Sequence, residues 1–249
     1  MLILLPPSET KRPGGRERAL DIGALALPEL RAARDAAVDA LVALSGDEEH
    51  AARVLKLSPR QRPDIAHNAT LRTAPTLPAV DRYTGVLFDA LDAATLDAAS
   101  RRWLGAHVLI HSAPFGPVGA LDAIPTYRLA AGTALPGIPP LRRHWAGEVT
   151  EALRAAAPSF ILDLRSEAYV DLGPVPAEVD SAYLRVVTIG EDGVTRALNH
   201  FNKHGKGAVV RRLAQTRPRI ATRKALMAWA DTAGVALRDG ASGEIDLVV

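Results

Sequence analysis

The chain has 249 residues, enough to bury a sizeable core, and its composition is globular: 48% hydrophobic, 23% charged and only 4% aromatic. It has no cysteine, which excludes thiol nucleophiles, disulfides, thiolate zinc sites and cysteine-ligated iron–sulfur clusters. The net charge is only +2, but it is segregated. Val194 to Ala230 contains no Asp or Glu and carries Arg196, Lys203, Lys206, Arg211, Arg212, Arg217, Arg219, Arg223 and Lys224, so the rest of the chain is net acidic. A single-sign field of this kind attracts polyanions, of which nucleic acid is the commonest; the alternative is a solvated helical face with acidic neighbours elsewhere in the fold.

Met1 to Leu5 reads as a short buried strand ended by Pro6 and Pro7, too short for a signal segment. Ser8 to Arg18 reads as a polar loop. From Pro28 to Leu44, Leu30, Ala33, Ala37, Leu41 and Leu44 recur at helical spacing, and Glu48 to Leu57 predicts a second helix. Ser58 to Pro78, with four prolines, reads as an ordered loop or a set of turns. Ala94 to Leu104 is helical by pattern, Ala106 to His111 predicts a strand, and Ser112 to Gly119 reads as a Gly/Pro-rich connection. Leu141 to Ala157 predicts a helix entered through two prolines. Ser159 to Leu164 and Tyr183 to Ile189 predict strands, with Gly190 to Gly193 as a hairpin turn. Asn199 to Gln215 and Thr222 to Ala233 read as helices, and Glu244 to Val249 as a closing strand. Strands and helices alternate without a strict βαβ rhythm. The expectation is one α+β or mixed α/β domain over residues 1–249. No run approaches the roughly 20 apolar residues that span a bilayer. The chain is therefore expected to be cytoplasmic, with no membrane partner.

Five motifs carry candidate chemistry. Ser8 and Lys11 follow the first strand, and the crevice of an open sheet lies at the carboxyl ends of its strands, so a hydroxyl and an ammonium there can hold a phosphate. No phosphate-binding G-x-x-x-x-G-K-[ST] loop is present. Lys203, Lys206 and Val210 share a helical face, with Gly205 and Gly207 between or beside them; glycine there makes sense where a phosphate or a packed strand approaches the backbone. The pairs His107/His111 and His200/His204 have ligand spacing on a strand and a helix. They lack a third ligand, though, and Lys203 and Lys206 repel a cation, so no metal and no cofactor is expected. Tyr127 and Arg128 suit carboxylate or phosphate recognition, or a buried structural ion pair. Glu167 and Tyr169 follow a strand end and suit acid–base chemistry, while Ser166 could serve only as a cap. Leu135-Pro-Gly-Ile138 is weakly similar to the turn of a helix–hairpin–helix.

The order of these motifs resembles the YaaA family of peroxide-stress proteins. The signals are the apolar strand running into Ser8-Glu-Thr-Lys11, Tyr83-Thr-Gly85, Tyr127-Arg-Leu129 with Gly132, the helix around Trp145, Asp163-Leu-Arg-Ser-Glu-Ala-Tyr169, and Lys203-His-Gly-Lys-Gly207. The resemblance covers nearly the whole chain. It implies a family-specific mixed fold with a positively charged cleft, binding of duplex or branched DNA, and a role in limiting oxidative damage through DNA repair. By that similarity Lys11, Arg128, Lys203 and Lys206 are cleft residues. The chain departs from the family's S-P-A-K-T opening and K-K-A-R-G motif, and it has no glycine between Glu48 and Ala74, where the family's helix–hairpin–helix falls.

Three function classes follow. The first is a sequence-independent DNA-binding protein of the peroxide-stress response. Its phosphate contacts come from Ser8, Lys11, Arg128, Lys203, Lys206, Arg211 and Arg212, and about five such contacts give a salt slope of roughly −4 to −5. The second is an enzyme acting on a nucleotide or another phosphorylated small molecule, with Tyr127, Glu167 and Tyr169 as polar groups of the same pocket. A third reading, a basic helix docking an acidic partner surface, is the least specific.

Overall fold

The computed structural model describes residues 1–15, 17–189, 195–197 and 201–249. The expected turn at 190–193, together with Asn199 and His200, lies outside the described residues. Strands run β1 Leu2–Leu5, β2 Glu17–Ala19, β3 Pro75–Pro78, β4 Val108–Ser112, β5 Gly116–Gly119, β6 Ala123–Ile124, β7 Ile161–Asp163, β8 Ser181–Ile189, β9 Thr195–Ala197, β10 Leu237–Asp239 and β11 Glu244–Val248. Helices run α1 Arg31–Leu44, α2 Glu48–Val54, α3 Ile65–Ala69, α4 Ala79–Arg82, α5 Val86–Leu91, α6 Ala98–His107, α7 Leu141–Ala155, α8 Glu167–Val170, α9 Phe201–Thr216 and α10 Arg223–Ala233.

The main sheet has the order β10-β11-β8-β7-β1-β4-β5, with β9 paired to the far end of β8. β1 is parallel to both neighbours, placing Leu4 beside Leu109 on one side and Asp163 on the other. β8 is parallel to β7 and β11, while the hairpins β4–β5 and β10–β11 are antiparallel. This is the expected mixed α/β architecture. Parallel strands covered on both faces are apolar throughout, and Ile3, Leu4 and Leu5 are fully buried. A three-stranded sheet β2-β3-β6 lies apart from the main one.

Chain order along the sheet matters for function. From β1 the chain builds outward through β4 and β5; it then returns to the other side of β1 and builds outward through β7, β8 and β11. The direction of winding reverses between β1 and β7. In open α/β sheets the ligand crevice forms outside the carboxyl ends of the strands at such a reversal.

Several elements differ from the sequence reading. Ala106 and His107 end α6 rather than opening β4, so His107 stacks edge-on against Trp103 and shares no strand face with the buried His111. Ser112 to Gly119 is not only a connection: Gly116 to Gly119 forms β5. Gly116, at φ +62°, leaves room for the Trp145 ring, which a Cβ would approach to 3.1 Å. The Ser58 to Pro78 stretch is partly regular, with a 3-10 segment at Pro59–Asp64, then α3 and β3.

α9 packs across α5 at Gly207. A Cβ on Gly207 would lie 2.1 Å from the carbonyl oxygen of Leu87 and 2.9 Å from the Ala90 Cβ. The close approach anticipated at this glycine is therefore to a helix backbone. Gly205 faces the sheet instead, against Val186 and Leu247. Gly207→Ala is expected to destabilise the fold by about 1–3 kcal/mol despite alanine's better helix propensity, because two helix backbones must separate. Chemical denaturation measures it; a variant as stable as the parent would contradict this packing.

Candidate functional site

A cleft of about 780 Å³ opens at the reversal point. Pro6 to Thr10, following β1, form one wall; Leu164 and Ser166 to Tyr169, following β7, form another. Tyr183 of β8 lies beside Asp163 at the sheet edge of the cleft. Val86, Leu87 and Phe88 of α5 supply an apolar side, and Asn202, Lys203 and Lys206 of α9 face across it.

The Ser8 wall is held by short polar contacts. The Ser8 and Thr10 hydroxyls lie 3.2 Å apart, the Thr10 amide donates to Ser8 Oγ, and Thr10 Oγ1 donates to the Thr84 carbonyl. Gly85, at φ +95°, brings the Tyr83-Thr-Gly85 turn against both hydroxyls; a Cβ there would sit 3.3 Å from each.

The opposite wall is held by one buried arginine. Arg165 is fully buried and folds back on Asp163, with Nε–Oδ1 at 2.9 Å and Nη2–Oδ2 at 2.6 Å. Its Nη1 also donates to the Gly173 carbonyl, the Tyr169 carbonyl and Nδ1 of His111. The guanidinium can only donate, so His111 Nδ1 is the acceptor and its ring proton sits on Nε2. Burial, then the neighbouring guanidinium, holds His111 well below the usual imidazole range, keeping it neutral. The Arg165 carbonyl accepts from the Tyr183 hydroxyl. One side chain thus ties β4, β7 and the loop carrying Glu167 and Tyr169 together.

Lys203 and Lys206 are one helical turn apart, as their spacing predicts. Lys203 is exposed, whereas Lys206 is only 4% exposed, with Nζ 5.3 Å from the Tyr183 ring centre. Among the described residues neither forms an ion pair. Burial lowers the Lys206 ammonium to about 8, a shift that the Asp163 charge partly opposes.

The remaining expected site residues fall elsewhere. Lys11 and Arg128 share a smaller neighbouring pocket of about 40 Å³, and Glu9 lines both that pocket and the cleft. Lys11 Nζ donates to the Ser8 and Glu9 carbonyls and lies 4.0 Å over the Tyr127 ring. Burial, then the Arg128 charge, lowers Lys11 to about 7. Arg128 faces Glu9 at 3.6 Å. Tyr127 lines neither pocket: it is buried, with its hydroxyl 2.8 Å from that of Tyr83. Arg211 and Arg212 leave the cleft altogether. Arg211 donates to the Leu91 and Asp92 carbonyls and to Thr95, and Arg212 to the Ala233 carbonyl, so each closes the end of a helix. Arg217 and Arg223 are likewise paired, with Asp97 and Asp239. The acid-free segment therefore does not form one continuous cationic face.

The helix–hairpin–helix route to phosphate is closed at its expected place. Between α2 and the 3-10 segment, Lys56 turns the chain at φ +53° without a glycine. The amides of Leu55, Lys56, Leu57 and Ser58 all donate within the turn, to Ala51, Arg53, Ala52 and the Gln61 side chain. The Leu135–Ile138 turn is followed by α7 from Leu141, but among the described residues no helix lies between β6 and the turn.

Asn202 and Tyr183 line the cleft and were not singled out in the sequence. Asn202 lies four residues before Lys206, so helical spacing placed it on that face; Tyr183 carried no signal beyond its strand.

Known proteins place the chain. A family model described as peroxide stress protein YaaA matches residues 1–238. A UPF0246 protein of Corynebacterium efficiens is 48% identical over 226 residues, covering 89% of this chain and 88% of its own. One from Streptomyces coelicolor is 44% identical over 218 residues, covering 87% and 84%. A third, from Corynebacterium glutamicum strain R, is 42% identical over 243 residues, covering 96% and 95%. With a match across almost its full length, this chain belongs to the YaaA family of peroxide stress proteins.

Proposed function

We propose that the protein serves the peroxide stress response in the cytoplasm by binding a phosphate-bearing nucleotide in this cleft, alone or as part of a DNA strand. The observation that carries the reading is the pair Lys203 and Lys206. They are two cations that, among the described residues, form no ion pair with a carboxylate, and they lie at the winding reversal of the sheet, where such folds hold ligands. Ser8 adds a hydroxyl donor, since the Thr10 proton already goes to the Thr84 carbonyl, and the Glu167 carboxylate suits a sugar hydroxyl. The apolar side at Val86, Leu87 and Phe88 suits a base or a sugar face.

The size of the cleft favours one nucleotide over a long stretch of duplex. About 780 Å³ is within the usual range for a small-molecule site. With Arg211 and Arg212 committed to helix ends, two cleft lysines are left for phosphate. Binding to DNA is therefore expected to show a salt slope of about −2 rather than −4 to −5. Fluorescence anisotropy with deoxynucleotides, single strands and duplexes at several salt concentrations tests both points. Saturable nucleotide or single-strand binding with the shallow slope supports the reading. A steep slope with a preference for duplex would return the function to an extended DNA clamp. No binding at low salt to any of the three would remove it.

A further inference from the structure

The chain has 25 arginines and only five lysines: Lys11, Lys56, Lys203, Lys206 and Lys224. Elsewhere it meets its need for positive charge almost entirely with arginine. Yet in the cleft both cations are lysines. Arginine is the better partner for phosphate, since its fork matches the oxygens and it never loses its proton. What lysine offers in addition is an amine that can become neutral and nucleophilic.

Lys206 has the surroundings that such chemistry requires. Its side chain is buried, its Nζ lies over the Tyr183 ring, and among the described residues it forms no ion pair with a carboxylate. It reaches a cleft large enough for a sugar phosphate and walled on one side by Val86, Leu87 and Phe88. The charged and titratable groups around it, among the described residues, are Asp163 and Tyr183 from the sheet, Glu167 and Tyr169 after β7, Glu9 from the loop after β1, and Lys203 from its own helix. Lys11, half-buried, is spent on two backbone carbonyls and does not line the cleft.

We propose that Lys206 is a nucleophilic amine that forms an imine with the aldehyde carbon of a phosphorylated deoxyribose held in the cleft. The proposal rests on the reading of the cleft as a nucleotide-phosphate site and names the carbonyl chemistry that site performs. The neutral amine adds to the aldehyde carbon, forming a C–N bond, and the carbonyl oxygen takes the proton that nitrogen gives up. Loss of that hydroxyl as water, with the second nitrogen proton, leaves the C=N bond. Amine and aldehyde thus give imine and water, with no oxidant or reductant. Lys203 and Ser8 hold the phosphate, and Glu167 accepts from a sugar hydroxyl. The sugar can be free or the abasic site of a DNA strand.

Sodium cyanoborohydride reduces an imine to a stable secondary amine and so records it. The full-length protein is incubated with the reductant and either 2-deoxyribose 5-phosphate or a single-stranded oligonucleotide with one abasic site. Modified lysines are then located by peptide mass mapping. Label is expected on Lys206, lost in K206R and unchanged in K224R. At pH 8 an amine titrating near 8 has a neutral fraction on the order of 100-fold above that of an exposed lysine, so Lys206 is expected to label at least about tenfold faster than Lys56 or Lys224. Labelling by one probe and not the other identifies the source of the sugar. Label spread evenly over the exposed lysines, or absent from Lys206, overturns the proposal. In that event, binding of the reduced sugar phosphate, which has no aldehyde, decides whether the cleft reading survives: binding leaves it standing, and its absence sinks both.

Discussion

Arg165→Met is expected to destabilise the protein by about 3–5 kcal/mol, the cost of breaking a buried ion pair by removing one partner. The pair is nearly dry: side-chain exposure is 0% for Arg165 and 6% for Asp163. Removing the guanidinium leaves the Asp163 carboxylate without its bidentate partner. It also strands the Gly173 carbonyl and His111 Nδ1, which have the same donor. In a chain of this length each kcal/mol moves the melting temperature by about 2–4 °C, so calorimetry should show a fall on the order of 10 °C. Replacing both members, Asp163→Leu with Arg165→Met, is expected to recover part of the loss, because no buried charge is left unpaired. A single variant that loses less than about 1 kcal/mol would mean that Asp163 finds solvent or another partner. Function should suffer along with stability, since the loop carrying Ser166 to Tyr169 is held by the same side chain through the Tyr169 carbonyl.

Lys206→Met is expected to act in the opposite direction, stabilising the protein while abolishing ligand binding. Burial lowers the folded-state ammonium to about 8, below its ordinary 10.5. Between those values the unfolded chain binds more protons than the folded one, so wild-type stability rises with pH across that window. The unfavourable contribution is fully present below about 8 and fades as pH climbs to 10.5. At roughly 1.4 kcal/mol per tenfold, its upper bound at neutral pH is about 3 kcal/mol. Methionine keeps the length and apolar stem and removes the charge. A gain of roughly 1–3 kcal/mol at pH 7 is expected, shrinking toward zero at pH 10, measured by denaturant titration at both values. Lys11, also lowered by burial, titrates in both proteins and cancels in the comparison. A destabilised variant would show that Lys206 makes a favourable interaction stronger than its loss of water. A group retained at a cost to the fold is characteristic of a functional site.

Much of the scaffold was legible in the sequence. The apolar run Leu2–Leu5 could only be a buried strand, α1 followed from the 3.6-residue spacing of its apolar residues, and α7 from the two prolines that open it. The strand-end positions of Ser8 and Glu167 and the shared face of Lys203 and Lys206 were also legible, being local. What could not be read was set by distant partners. Arg34 and Arg82 are fully buried because each donates to four backbone carbonyls, among them Phe115 and Pro117 for Arg34 and Arg12, Gly14 and Ile124 for Arg82, all distant in the chain. Nothing near either in sequence announces it. Arg211 and Arg212 looked like cleft cations because their acceptors, the open ends of α5 and α10, are over a hundred residues before one and about twenty after the other. β5 was obscured by its own composition. Two glycines and a proline in four residues read as a turn, yet Gly116 is there to seat Trp145.

If Lys203 and Lys206 together receive a nucleotide phosphate in the cleft between β1 and β7, both side chains must respond to it. With only five lysines, the protein can be labelled with ¹³C at lysine Cε and every side chain followed separately by NMR, each signal assigned by its own arginine variant. On titration with a deoxynucleoside monophosphate, the Lys203 and Lys206 signals are predicted to shift together and saturably, while Lys56 and Lys224 stay in place. Shifts confined to Lys56 or Lys224, or movement of Lys203 without Lys206, would contradict it.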